Sequence, residues 1–213
     1  MKGVATMDNK TKVEKFSAAL VDKLFVDETE EEQEIIAYGL TVVCTTIGSF
    51  LAIIFLSGLV GITPLAITAA VSASIVKLFS GGVHAANFRT CATISAIIFT
   101  TIGWFSYHAD SLIIIENNLL LGLVFLSGTY ILYLYAPADV EEKPLDSVKK
   151  KSKAKIHSIL IFSCLNLVFL ILSLNQVASS YILAGLLGML WTLFSTTPVA
   201  YKLFNRQYIR RCD

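Results

Sequence analysis

Apolar residues in this chain gather in long runs rather than in the stripes of an amphipathic helix. Six runs stand out, at 35–59, 62–79, 91–107, 112–135, 156–174 and 179–201. A bilayer core of about 30 Å takes roughly 20 apolar residues as a helix, so each run predicts a membrane span. The second and third are short, and a polar stretch, 80–91, lies between them. Ahead of the runs, Val13, Phe16, Ala19, Leu20, Val21 and Leu24 recur near helical spacing with Lys12, Lys15 and Lys23 among them. That pattern predicts an amphipathic helix lying on the membrane surface. The expected fold class is therefore all-α, a polytopic membrane protein of about six transmembrane helices with an N-terminal amphipathic helix. A single domain is expected over 1–213: an interfacial helix and acidic linker at 1–34, a six-span core at 35–201 and a basic tail at 202–213.

Composition agrees, with 55% hydrophobic and 15% charged residues, and makes lipid the expected surroundings. Nothing points to nucleic acid as a partner. The first apolar run comes after a long charged stretch, unlike a cleavable signal peptide, so the N-terminus is expected to be kept. Of the 17 Lys and Arg residues, five precede the first run, six lie between the fourth and fifth, and four come after the sixth. Lys77 and Arg89 bracket the His84 region, and the other three loops carry none. Basic flanks stay cytoplasmic during insertion, which predicts cytoplasmic N- and C-termini and a cytoplasmic 80–91 segment. The cluster Asp27, Glu28, Glu30, Glu31, Glu32 and Glu34 suits the start of the first span, where carboxylates favour a helix N-terminus. The segment 136–155, with Pro137, Pro144 and its lysines, reads as a loop at the anionic inner leaflet or a landing site for an acidic peptide.

The chemistry concentrates in Ser80-Gly81-Gly82-Val83-His84-Ala85-Ala86-Asn87-Phe88-Arg89-Thr90-Cys91. Polar residues in so apolar a chain need a reason. Cys44 and Cys164 fall inside apolar runs, where a thiol behaves as a small hydrophobe, and Cys212 lies in the basic tail. The four cysteines fit neither a disulfide framework nor a metal site. Cys91 differs: it falls at the expected start of a helix beside Arg89, and both a helix N-terminus and a cation favour the reactive thiolate. In a continuous helix His84 and Cys91 would share a face but lie about 10 Å apart along the axis, too far for a nucleophile and its base. Gly81 and Gly82 allow the helix to break, and irregular backbone is tolerated at membrane depth inside protein. A broken or re-entrant segment that folds His84 back onto Cys91 is expected. On the residues alone, catalysis, pore lining, metal binding and structural polarity all stay open.

The stretch Ser80 to Ala85 followed by Cys91, the six-span layout, and Tyr135-Ala136-Pro137-Ala138-Asp139 with Lys143-Pro144-Leu145 together resemble the accessory gene regulator B (AgrB) family, over nearly the whole chain. The family comprises bacterial membrane peptidases of peptide quorum sensing. The resemblance implies a cysteine endopeptidase of the bacterial plasma membrane acting on an AgrD-like signal pro-peptide, with Cys91 as nucleophile and His84 as base. It implies removal of an acidic C-terminal tail through an acyl thioester, then cyclisation to a thiolactone or lactone. Neither a cofactor nor a metal is expected. Gly81, Gly82 or the Cys91 amide would receive the oxyanion and Asn87 would orient His84. Lys77, Arg89, Lys149, Lys150 and Lys151 are candidate substrate contacts. A small peptide transporter with His84 in its path is the alternative from another class, and a membrane scaffold is a third. Gly185 and Gly188 suit either a homodimer contact or the interior of a monomer.

Overall fold

A computed structural model describes residues 11–26, 28–83, 88–109, 117–138 and 148–204. Among them the helices are α1 (Lys12–Leu24), α2 (Glu30–Val60), α3 (Thr63–Ser80), α4 (Phe88–Ala109), α5 (Asn117–Tyr135), α6 (Val148–Leu174), α7 (Ser179–Ser195) and α8 (Pro198–Leu203). The described residues hold no β-strand, only an isolated parallel bridge between Gly81 and Ala138. The protein is all-α and polytopic: α2 to α6 are long and apolar enough to cross a membrane.

The two N-terminal helices begin with the same device. Thr11 caps α1 and Thr29 caps α2, each paired with a glutamate three residues on. The Thr11 amide donates to Glu14 Oε2 at 2.6 Å and the Thr29 amide to Glu32 Oε2 at 3.1 Å. Each box satisfies amides that a helix start leaves without partners. Glu30, Glu31 and Glu32 thus form the first turn of α2 rather than a linker. The α1 helix buries Ser17 and Val21 against α2 and turns Phe16 and Leu24 outward.

Successive long helices alternate in direction. Ser57 and Thr63 meet at 3.3 Å at one end, where Ser173 Oγ also donates to Asn118 Oδ1 at 3.0 Å, on α6 and α5. At the other end the Ala138 amide donates to the Ser80 carbonyl and the Val83 amide to the Ser195 carbonyl, both at 2.9 Å. This second end also holds the first turns of α6, so it carries Lys77, Arg89, Lys151, Lys153 and Lys155. We call it the basic end.

The central helix is α7, packed against α3, α4, α5 and α6. Leu186, Met189 and Leu193 of α7 meet Val76, Leu132 and Phe162 in the largest cluster of the core. Close approach to α3 is possible because Gly188 has no side chain: a Cβ there would collide with the Ala69 backbone, its Cα only 2.9 Å away. Thr192 Oγ1 then donates to the Ala73 carbonyl at 2.9 Å, one turn along. Gly185 lies against the Phe169 ring. Both glycines are used inside the bundle, so they lend no contact to a dimer. Gly188→Ala is expected to lower stability by about 1–3 kcal/mol, the usual cost of overpacking. Gly122→Ala, with nothing within 4 Å of its new Cβ, serves as control. Thermal unfolding in detergent micelles checks this; equal midpoints would mean that α3 and α7 have room to part.

Two boundaries differ from those the sequence suggests. The sixth run does not continue to Tyr201: α7 has 17 residues and ends at Ser195. Pro198 lacks an amide hydrogen and Thr197 caps a new helix, α8, so one helix cannot pass through. The lysines at 149–155 lie not in a loop but in the opening turns of α6, because lysine and alanine are good helix formers and the span simply continues outward. The described part of the fourth span begins at Asn117; its expected start at 112 lies outside the described residues.

Candidate functional site

The α3 helix stops where its sequence reaches two glycines. The Gly81 amide donates to the Lys77 carbonyl at 3.0 Å, closing the last turn, and Gly81 then adopts φ 68°, ψ −152°. Gly82 comes next at φ 131°. Residues with side chains are strained at such angles, and glycine is not. Space demands glycine too. A Cβ on Gly81 would collide with the Ala138 carbonyl oxygen, and one on Gly82 would come within 2.7 Å of Ser195 Oγ. The absence of two methyl groups lets the chain thread between the end of α5 and the end of α7.

The short extended stretch Gly81–Val83 is held from several sides. Ala138 bonds to Ser80 and bridges to Gly81; the Val83 amide is bound by the Ser195 carbonyl. The Val83 carbonyl accepts from Lys77 Nζ at 2.9 Å. The Val83 side chain is buried with Ala138, Ala200 and Tyr201, and Phe194 and Phe204 pack against this group. The backbone leading into His84 is therefore tethered by α3, α5, α7 and α8 at once. His84 and Asn87 themselves lie outside the described residues, as does the fold of His84 back onto Cys91. The break after Ser80 is present, and the helix resumes at Phe88.

Cys91 is the fourth residue of α4 and half-buried. Arg89 in the same turn is exposed. Lys77 is half-buried, and its ammonium lies close enough to Cys91 for the two groups to interact electrostatically. An ammonium has three donors, and Lys77 spends one on Val83. The lysine thus bonds to the stretch before His84 and interacts electrostatically with Cys91. The Gly81 amide is spent on Lys77, so of the two glycines Gly82 is the better candidate for an oxyanion contact.

The remaining described thiols are elsewhere: Cys44 is half-buried on α2 and Cys164 exposed on α6. His108 lies at the opposite end, its ring 4.3 Å from that of Trp104. His157 sits at the basic end, stacked on Phe79 of α3 at 6.4 Å, with Nδ1 2.6 Å from the Lys153 carbonyl. Lys155 Nζ lies 5.0 Å from the centre of the Tyr133 ring, a cation–π contact. Lys151 opens α6 at this end, and the side chains of Lys149 and Lys150 are outside the described residues. Sequence reading missed Ser195, Ala200 and Tyr201 as neighbours of the glycine pair. Ser195-Thr196-Thr197-Pro198 looks like an ordinary helix end, and no local signal tells what its last carbonyl will bind.

Comparison with known proteins agrees with this geometry. The sequence model of Accessory gene regulator B matches residues 13–196. An AgrB-like protein of Clostridium perfringens strain SM101 is 27% identical over 183 residues, covering 82% of this chain and 86% of the relative. A second, from C. perfringens strain 13, is 27% identical over 205 residues, covering 91% and 95%. An AgrB-like protein of Listeria innocua is 24% identical over 195 residues, covering 92% and 91%. No solved structure matches the chain.

Proposed function

The chain belongs to the accessory gene regulator B family, of the agr quorum-sensing system, and on that premise we propose that it is a membrane cysteine endopeptidase that matures a signal pro-peptide. One observation carries the reading. The tethered Gly81–Val83 stretch leads into His84, and Lys77, bonded to the Val83 carbonyl, interacts electrostatically with Cys91.

In this mechanism His84 takes the Cys91 proton and the thiolate attacks the peptide carbonyl that precedes the acidic tail of an AgrD-like precursor. The Gly82 amide and amides at the start of α4 receive the developing oxyanion. Asn87 orients His84. The C–N bond breaks as His84 returns the proton to the leaving amine, and the precursor stays on Cys91 as a thioester. A Cys or Ser side chain of the precursor then attacks that thioester, closing a thiolactone or lactone and freeing Cys91. Thioester exchange is nearly isoenergetic, and a site within a protein bundle in lipid keeps water away while the internal nucleophile acts.

The basic end faces the cytoplasm in this reading, with both termini inside, since basic flanks are retained there. Arg89 and the lysines Lys149, Lys150 and Lys151 draw the acidic tail inward, an attraction that added salt weakens. The two Lys77 donors not used on Val83 can hold the thiolate or a substrate carboxylate.

The test is intact-mass spectrometry of the full chain, mixed with the precursor and quenched in acid. A covalent adduct on Cys91, lighter than the precursor by its C-terminal tail and released by hydroxylamine, is expected. Precursor cleavage that continues in Cys91→Ala, with no adduct on the wild type, would sink the proposal.

A further inference from the structure

We propose that the C-terminal elbow of the bundle, the Ser195–Pro198 turn together with Tyr201 of α8, positions His84 by clamping the stretch that precedes it. The proposal rests on the peptidase reading above and extends it to residues at and just past the end of the 13–196 match.

A helix leaves its last four carbonyls without partners, and α7 settles three of its own locally. The Thr192 carbonyl accepts from Ser195 Oγ at 2.7 Å, that of Leu193 from Thr196 Oγ1 at 2.7 Å, and that of Phe194 from Thr197 Oγ1 at 2.7 Å. The Ser195 carbonyl receives the Val83 amide instead, at 2.9 Å. In a helix that ran on, this carbonyl would bond to the amide of residue 199. The break at Thr197 and Pro198 therefore does more than end a span: it reserves one carbonyl for the stretch before His84.

Having turned, the chain folds back over that stretch. Ala200 is 0% exposed and Tyr201 3% exposed, both against Val83 and Ala138. The contact is one-sided in its consequence. Nothing in the span packing of α2 to α6 passes through α8, which adjoins α7 alone among the principal helix contacts. Removing the Tyr201 ring empties the space beside Val83 and leaves the bundle standing, so the effect falls on the backbone next to His84. Tyr201 and Ser195 are positioning residues, acting through Val83.

The test uses the full chain in liposomes with Cys44, Cys164 and Cys212 replaced by Ala, so that Cys91 is the sole thiol. Iodoacetamide alkylation is followed from pH 5 to 10, alongside cleavage of a synthetic precursor. The wild type should show a low-pH limb of thiol reactivity that His84→Ala lacks. Tyr201→Ala should lose that limb, with kcat down about 100-fold, the scale of a misplacement near 1 Å, and KM changed little. Tyr201→Phe, which keeps the ring, should retain limb and rate. A Thr197→Ala, Pro198→Ala double variant, which lets α7 run on and reclaim the Ser195 carbonyl, should reproduce the loss with Tyr201 intact. A His84-dependent limb that survives in both Tyr201→Ala and the double variant overturns the clamp alone. Identical profiles for wild type and His84→Ala overturn the peptidase reading and the clamp with it.

Discussion

Cys91→Ala is expected to reduce precursor cleavage on the order of 10⁴-fold or more, and His84→Ala by a comparable factor near neutral pH, since loss of either member of such a pair removes nearly the whole chemical step. The two losses should separate with pH. Without His84 no base takes the thiol proton, and a thiol without a base ionises more as pH rises; the thiolate then needs no base, only an acid for the leaving amine. The His84→Ala deficit should therefore shrink from pH 6 to pH 9, while that of Cys91→Ala stays flat. Single-turnover cleavage of a synthetic precursor in liposomes, read by mass spectrometry, gives both numbers. A His84→Ala deficit that grows with pH would remove His84 from the role of base.

Gly81→Ala is expected to cost about 100-fold in cleavage while the protein still inserts and folds. The new Cβ collides with the Ala138 carbonyl, and the residue must hold φ 68°, ψ −152°, a region that costs a side chain about 1–3 kcal/mol. The backbone can escape only by moving off Ala138, which shifts Val83 and the chain that leads into His84. Misplacement near 1 Å is enough for a loss of this size. Gly39→Ala, with nothing within 4 Å of its Cβ, should leave cleavage unchanged. Activity within about threefold of wild type in Gly81→Ala would show that the bridge to Ala138 does not govern the site.

Local sequence can specify some parts of this molecule and not others. The Gly81-Gly82 break is written in two adjacent residues, because only glycine relieves both the angles and the crowding found there. The capping boxes at Thr11 and Thr29 are equally local, each closed within a few residues. The end of α7 is harder to read although Pro198 marks it, since Val199, Ala200 and Tyr201 continue the apolar run and hide the turn. The lysines of 149–155 mislead in the other direction: their charge suggests a loop, but their backbone preference is helical.

By itself the sequence determined that the protein lives in lipid, where its long runs become helices, and which end of the bundle is basic. Those properties arise from transfer of apolar surface out of water and from backbone preferences of neighbouring residues. Only the tertiary structure decided that Ser195, Ala138 and Tyr201 hold the stretch before His84, that Lys77 bonds to the Val83 carbonyl, and that Gly185 and Gly188 face inward. These contacts join residues far apart in the chain. Their partners are chosen by how helices pack and by which carbonyls a helix end leaves open, and no local pattern encodes that choice.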